Sequence, residues 1–187
     1  MPVTELDPVT ALLVVDLQKG VMTMPVQPPA EGVLANAVRL IDAFRARALP
    51  VVLINAAGGA PGRTEFGGTT PMARPEGWDE LVAELGSQPD DILITKRTWG
   101  AFHNTDLDAR LHEREVTQVV VLGIATSAGV ESTARQAHEH GYHVTVAIDA
   151  MADRGPEVHA NSIERIFPRL GETGTTDEIL ALLEATR

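Results

Sequence analysis

Short, unbroken apolar runs alternate along this chain with segments in which apolar residues recur every three or four positions. The second pattern is clear between residues 31 and 48, where Leu34, Val38 and Ile41 share one helix face. Continuous apolar strands that alternate with helices are typical of a parallel sheet covered on both sides. The predicted strands are residues 10–16, 51–55, 92–96, 117–124 and 142–149.

The stretch 119–141 shows this alternation of strand and helix most clearly. It begins as a strand, breaks at Gly123, passes through a loop of small residues and continues as a helix that ends at Gly141. Ligands of doubly wound sheets bind beyond the carboxyl ends of the strands, close to helix N-termini. The loop from Ala125 to Gly129 is therefore the first place to look for chemistry.

The remaining segments complete an α/β fold, a three-layer α/β/α sandwich with a doubly wound, mostly parallel sheet of about six strands. Thr175 and Glu178 predict a capping box before a last helix at 177–185. Residues 172–174 are a candidate edge strand. Further helices are predicted at 78–86, 106–113 and 157–167, and loops at 17–30 and 56–76.

Length, charge and cysteine content limit the functions to consider. With 187 residues the chain fits one domain, 1–187, and no apolar run approaches the roughly 18 residues of a membrane span. The N-terminus lacks the features of a signal peptide, so we expect a cytoplasmic protein. A net charge of -11 argues against nucleic acid and membrane surfaces as partners. Because the chain has no cysteine, a thiol nucleophile is excluded.

Three candidates for the functional site stand at the ends of predicted strands. They are Asp16 after the first strand, Lys96 after the third, and the small-residue loop after the fourth. All three lie at the same edge of a parallel sheet. A carboxylate and an ammonium group that meet in a dry cleft shift each other's pKa and can position a proton. The alternative is a structural ion pair that closes the sheet edge.

The motifs resemble those of the isochorismatase-like hydrolase superfamily over nearly the whole chain. They are Asp16 with Gln18, then Lys96-Arg-Thr-Trp-Gly-Ala-Phe102, then Gly123-Ile-Ala-Thr-Ser-Ala-Gly-Val-Glu-Ser-Thr-Ala-Arg135. The resemblance implies that Asp16 and Lys96 are the acidic and basic members of a catalytic trio.

Two departures set this chain apart from the amidase branches of the superfamily. The position of their cysteine nucleophile corresponds to Gly129, as it often does in true isochorismatases. The Asp-x-His metal motif of the nicotinamidase branch corresponds to Asn55-Ala-Ala57. The resemblance therefore favours a cysteine-less subgroup, and we predict no metal and no cofactor.

Isochorismatase chemistry, as the resemblance implies it, hydrolyses a vinyl ether without a covalent intermediate. Asp16 would protonate the methylene carbon of the substrate, with Lys96 as its electrostatic partner. A cis peptide bond is implied between Ile124 and Ala125. It would aim the N–H groups of Ala125 and Gly129 into the cleft as an anion cradle. The alternative is a tight turn that simply requires small residues.

Several other residues are candidates for binding the small-molecule substrate. Trp99 and Phe102 would form an apolar wall or belong to the core, and Gln18 would orient water or Asp16 or bind backbone. Thr126 lies in the loop, but neither it nor Ser127 has a base at a fixed spacing. The scattered histidines do not suggest a metal site. A dianion such as isochorismate would need cations, for which the candidates are Arg63, Arg74 and Arg97.

Competing functions stay open at this point. The alternative to a hydrolase is a catalytically inactive relative that binds a small ligand or a protein partner. A nucleotide-binding module is disfavoured because no Gly-x-Gly-x-x-Gly follows the first strand. We expect a homodimer or homotetramer, as is common in the superfamily.

Overall fold

The computed structural model describes residues 2–65 and 74–185. Six parallel strands form one sheet in the order β3-β2-β1-β4-β5-β6, which confirms the predicted fold class. The strand order reverses between β1 and β4, where such sheets bind their ligands. The strands are β1 (Thr10–Val15), β2 (Val51–Ala56), β3 (Ile92–Lys96), β4 (Gln118–Ile124), β5 (His143–Ala152) and β6 (Glu172–Gly174).

Alternate residues of the strands pack into two apolar cores, one on each face of the sheet. Leu12 and Val14 of β1 belong to the core beneath α2 and α6, and Leu13 and Val15 belong to the core beneath α3 and α4. This alternation explains why the strands read as continuous apolar runs. The helices are α1 (Lys19–Met22), α2 (Ala30–Arg45), α3 (Leu107–Glu113), α4 (Glu131–Glu139), α5 (Pro156–Asn161) and α6 (Thr176–Ala185).

Some predicted elements differ from the structure. The segment 17–30, predicted as a loop, contains the short helix α1, whose Val21 is buried. The predicted helix at 78–86 is reduced to a 3-10 turn, Ala83–Leu85. The predicted helix at 157–167 divides into α5, a π-helical turn (Ser162–Ile166) and a 3-10 turn (Phe167–Arg169), since Pro168 cannot continue an α-helix. Of the predicted loop 56–76, residues 66–73 lie outside the described part of the chain.

Other local predictions are confirmed. Glu172–Gly174 is the edge strand, and the Thr175 N–H donates to the carboxylate of Glu178 at 2.7 Å, as in a capping box. Among the described helices, none is long and apolar enough to cross a membrane.

The close approach of β1 and β4 depends on Gly123. Its φ is +128°, and a Cβ at this position would lie 2.0 Å from the carbonyl oxygen of Val15. The pairing of β4 with β5 shifts register between Val121 and Gly123. As a result β5 runs on to Ala152, three residues beyond its predicted end, and delivers Asp153 to the carboxyl edge of the sheet.

Candidate functional site

A cleft of about 410 Å³ opens at the carboxyl edge of the sheet, over the point where the strand order reverses. The residues that follow β1 and β5, Asp16 and Asp153, contribute to its lining. So do the last residues of β2, β3 and β4: Ala56, Lys96 and Ile124. The cleft therefore lies where the sequence pattern predicts ligand binding.

Asp16 and Lys96 meet in the wall of this cleft. The Lys96 Nζ lies 2.7 Å from Asp16 Oδ2 and also donates to the carbonyl oxygen of Thr98 at 3.3 Å. Both residues are buried, with 7% and 2% of their surfaces exposed. The other carboxyl oxygen, Oδ1 of Asp16, is buried and has no hydrogen-bond partner within residues 2–65 and 74–185. One oxygen is thus fixed by the lysine, and the other is left for a proton or a ligand.

Burial raises the pKa of Asp16 to about 6, although the charges of Lys96 and Arg74 act in the opposite direction. A lysine partner alone would lower an aspartate pKa, which would disfavour a role as an acid. Here the loss of solvent around the carboxylate outweighs both cations. Asp16 can therefore carry a proton near neutral pH.

Gly129 leaves room beside this pair. It lies buried in a π-helical turn, Thr126–Val130, that joins β4 to α4. A Cβ at this position would lie 3.0 Å from Asp16 Oδ2 and 3.5 Å from Lys96 Nζ. Any side chain at residue 129 would therefore point at the charged pair, and glycine leaves this space open.

The strand-to-loop junction carries the cis peptide bond that the resemblance implies, between Ile124 and Ala125. Both residues line the cleft. The loop that follows is held by Asp153, whose Oδ2 accepts the N–H of Ser127 at 2.7 Å. The carbonyl oxygen of Ala125 accepts the N–H of Val130 at 3.2 Å. The loop is thus tied down at both ends.

The two aromatic candidates, Trp99 and Phe102, lie in different parts of the structure. Trp99 lines the cleft, with 63% of its surface exposed. Phe102 does not line it: its ring is buried and stacks on His140, with 5.0 Å between ring centroids. Of the two, only Trp99 shares the cleft lining with Asp16. The prediction of Phe102 as a pocket residue is corrected to a core position.

Gln18 and Thr126 also lie outside the cleft lining, and each binds within the protein. The Gln18 side chain accepts the N–H of Ala56 at 2.7 Å and donates to its carbonyl oxygen at 3.2 Å, which is the backbone-binding alternative. Thr126 is fully buried, and its Oγ1 lies 2.8 Å from Nδ1 of His159. This base, 33 residues away in sequence, was not predicted. Because the hydroxyl does not reach the cleft, the pair joins the loop to α5 and offers no nucleophile.

Of the three arginines considered, only Arg74 lines the cleft; Arg63 and Arg97 are exposed and lie outside it. Asp153 and Arg154 also line the cleft but are not among the residues predicted from the sequence. Their signal was weak, because the predicted end of β5 at residue 149 left them in an apparent loop. If β5 had been predicted to end at residue 152, both residues would have been recognised as lying at a strand end.

The residue that corresponds to the first ligand of the nicotinamidase metal motif, Asn55, binds other groups of the protein. Asn55 donates to the carbonyl oxygen of Asp79 and accepts from the Thr95 hydroxyl, both at 2.8 Å. Over the described part of the chain, no three histidine or acidic side chains are grouped to hold a metal ion.

Comparisons with known proteins show the family of this chain. The isochorismatase domain family matches residues 10–178. An uncharacterized isochorismatase family protein of Bacillus subtilis, YwoC, is 42% identical over 179 residues, covering 91% of this chain and 92% of the relative. The ureidoacrylate amidohydrolase RutB of Variovorax paradoxus is 31% identical over 201 residues, covering 91% and 80% of the two chains.

A solved structure gives the same result. An isochorismatase family protein from Burkholderia thailandensis superposes with a TM-score of 0.91 and 38% identity, over 96% of this chain and 98% of that one. The region that the family model matches, residues 10–178, includes all six strands and both members of the buried ion pair. This chain is a member of the isochorismatase family of hydrolases.

Proposed function

We propose that this protein hydrolyses a small enol ether, of which isochorismate is the first candidate, with Asp16 as the general acid and no covalent intermediate. The observation that carries the proposal is the buried Asp16–Lys96 pair, in which the pKa of the carboxyl group is raised to about 6. A group with this pKa is protonated in roughly a tenth of the molecules at pH 7 and regains its proton readily.

The reaction begins with transfer of a proton from Asp16 to the terminal methylene carbon of the enol ether. The C=C π electrons form the new C–H bond, and the positive charge is shared between the ether carbon and its oxygen. Asp16 becomes a carboxylate, which the ammonium group of Lys96 stabilises at 2.7 Å. Lys96 thus acts by stabilising the conjugate base of the acid.

Water then attacks the cationic carbon and gives up a proton to the Asp16 carboxylate. The resulting hemiketal then collapses: its C–O bond to the alcohol breaks, its hydroxyl forms the carbonyl, and the hydroxyl proton passes to the departing alkoxide oxygen. The three-carbon fragment leaves as pyruvate if the enol ether carries a carboxylate. One water is consumed, and Asp16 is returned to its protonated form. No side chain forms a bond to the substrate at any step.

The lack of a cysteine, and of any side chain at residue 129, supports water attack. The chain has no cysteine, Gly129 presents only hydrogen toward the Asp16–Lys96 pair, and the Thr126 hydroxyl is buried outside the cleft. A Cβ at residue 129 would lie 3.0 Å from Asp16 Oδ2, so a bulkier residue would take up room beside the acid that the reactants need.

The test is pyruvate release from isochorismate, followed with a lactate dehydrogenase coupled assay, for the wild type and Asp16→Asn. The proposal expects release by the wild type and a loss of at least about a hundredfold in the variant. Asp91→Asn is the matched control, because Asp91 also forms a partly buried ion pair, with Arg45 at 2.6 Å, but lies outside the cleft.

The outcomes separate the alternatives. Full turnover by Asp16→Asn contradicts the proposed acid. Turnover of an amide such as ureidoacrylate, without turnover of any enol ether, would assign the cleft to amide hydrolysis. No turnover of enol ethers, amides or esters would favour the catalytically inactive alternative.

A further inference from the structure

A buried hydroxyl and a histidine join the loop beside Asp16 to the surface helix α5. Thr126 directly follows Ala125 of the cis peptide bond, and its Oγ1 lies 2.8 Å from Nδ1 of His159. Thr126 is fully buried, and His159 is half-buried. The proposed reaction uses neither group. The contact links the wall of the cleft to a residue 33 positions further along the chain.

His159 is suited to accept the proton of this hydroxyl. Burial lowers the pKa of its imidazole below the usual value, although the charge of Asp153 acts in the opposite direction. The ring is therefore mostly neutral at pH 7, and a neutral imidazole has one nitrogen that accepts a hydrogen bond. Asp153 also accepts the N–H of Ser127, the next residue of the loop, at 2.7 Å. Two side chains that follow β5 thus hold two consecutive residues of the loop.

Polar contacts make a large contribution to holding α5 against the loop. All six residues of this helix are at least partly exposed, and Val158 is 47% exposed. A helix this short depends on contacts with the rest of the protein for its stability. His159 supplies one such contact, and the turn that follows α5 supplies another, because the Ser162 hydroxyl donates to the carboxylate of Glu131 at 2.6 Å.

The position of the loop affects how much water reaches Asp16. Ala128 and Gly129 line the cleft together with Asp16. A Cβ at Gly129 would lie only 3.0 Å from Asp16 Oδ2, so the backbone of the loop lies close to the carboxyl group. Burial is the largest cause of the raised pKa of Asp16. A loop that moved away would admit water to the carboxyl group, and Lys96 and Arg74 would then lower its pKa.

We propose that His159 is a positioning residue for Asp16: by holding the Thr126 hydroxyl it fixes the loop 125–130 beside the buried carboxyl group and keeps water away from it. His159 lies outside the cleft lining and acts through Thr126. The inference rests on the proposed function, because Asp16 is the acid of the proposed reaction.

The first measurement is the pKa of Asp16, which requires no substrate. Carbon-13 NMR of protein labelled at the aspartate carboxyl carbons follows the titration, and Asp16→Asn identifies the resonance. His159→Phe keeps an aromatic ring without a nitrogen, and Thr126→Val removes the hydroxyl but keeps the shape of the side chain. Each is expected to lower the pKa of Asp16 by about one pH unit. His159→Asn, whose amide can take the place of Nδ1, is expected to keep most of the wild-type value.

His112→Phe is the matched control. Nδ1 of His112 lies 3.0 Å from the Tyr142 hydroxyl, so this variant removes the same kind of contact, but neither residue lines the cleft. The pKa of Asp16 is expected to stay at about 6 in the control. Circular dichroism checks that each variant is folded, and Thr126→Val provides the test if His159→Phe does not fold.

Pyruvate release from isochorismate gives a second readout. A pKa lower by one pH unit reduces the protonated fraction of Asp16 at pH 7 about tenfold, so kcat/KM of His159→Phe should fall by about that factor. Below pH 5 the activities of the variant and the wild type should converge, because Asp16 is then mostly protonated in both. A loss that is equal at every pH would assign His159 a merely structural role and overturn the proposal.

The NMR titrations give the other contradicting outcomes. The proposal is overturned if His159→Phe and Thr126→Val leave the pKa of Asp16 unchanged, if His112→Phe lowers it as much, or if His159→Asn behaves like His159→Phe. A lowered pKa in the loop variants without pyruvate release by the wild type would retain the positioning role and reject the proposed reaction. Pyruvate release by the wild type with an unchanged pKa in the variants would do the reverse.

Discussion

The Nζ of Lys96 lies 2.7 Å from Oδ2 of Asp16, yet burial of the carboxyl group raises the pKa of Asp16 to about 6. An ion pair that served only to stabilise the fold would lower that pKa, because the folded state would favour the carboxylate. In this cleft, burial disfavours the charge more than Lys96 and Arg74 favour it. The raised pKa favours the proposed acid over the structural ion pair considered from the sequence.

This relationship gives a prediction for stability. Between pH 3.8 and about 6 the folded protein holds a proton on Asp16 that the unfolded chain has lost, so stability falls as pH rises through this interval. Relative to Asp16→Asn, the wild type should lose about 3 kcal/mol of unfolding free energy from below pH 4 to above pH 6. Urea unfolding of both proteins at a series of pH values measures the difference. A wild type that gains stability over the variant as pH rises would show that the pair is a stabilising one.

Gly129 gives a prediction for activity. In Gly129→Ala the new methyl group would crowd Asp16 Oδ2 at 3.0 Å and Val15 Cγ1 at 3.1 Å. We expect a loss of kcat/KM on the order of a hundredfold, because small displacements of reacting groups are costly. The steady-state kinetics of the variant measure this loss.

Gly32→Ala is the control for that experiment. Gly32 lies within α2, and a Cβ there would contact nothing within 4 Å. We expect unchanged activity and a gain in stability of about 0.5–1 kcal/mol. Equal activity of both alanine variants would refute the view that the space at residue 129 is needed.

Gly123 gives a prediction for folding. An alanine at Gly123 combines a φ of +128° with a Cβ 2.0 Å from the Val15 carbonyl oxygen, so β1 and β4 would have to separate. We expect a loss of roughly 3 kcal/mol or more in thermal or urea unfolding. Gly141→Ala shares a positive φ, +91°, but meets no atom within 4 Å and should lose only about 1–2 kcal/mol. Similar losses in the two variants would mean that the contact with Val15 is not the decisive factor.

The sequence predicted the parts of the site that depend on strand order. Parallel strands bring Asp16, Lys96 and the loop after β4 to one edge, and each follows an apolar run whose end is easy to read. The same logic failed at Asp153 and Arg154, because the register shift beside Gly123 lengthens β5 beyond its apparent end. Such a shift arises from pairing between strands and leaves no local pattern.

Side-chain direction could not be read from the sequence either. Phe102 and Trp99 are three residues apart, yet one packs on His140 and the other faces the cleft. Gln18 follows Asp16 by two residues, but its amide binds the end of β2. The sign of the Asp16 pKa shift also required the structure, because it depends on whether burial or the neighbouring cations have the larger effect.

The pH dependence of kcat/KM for pyruvate release from isochorismate tests the central claim most directly, since it reports the protonation state that the free enzyme needs. If Asp16 donates the proton, activity is highest below pH 6 and falls about tenfold per pH unit above it, as the carboxyl group with a pKa of about 6 ionises. An activity that rises with pH through 6 would show that Asp16 acts as a base, and would contradict the account.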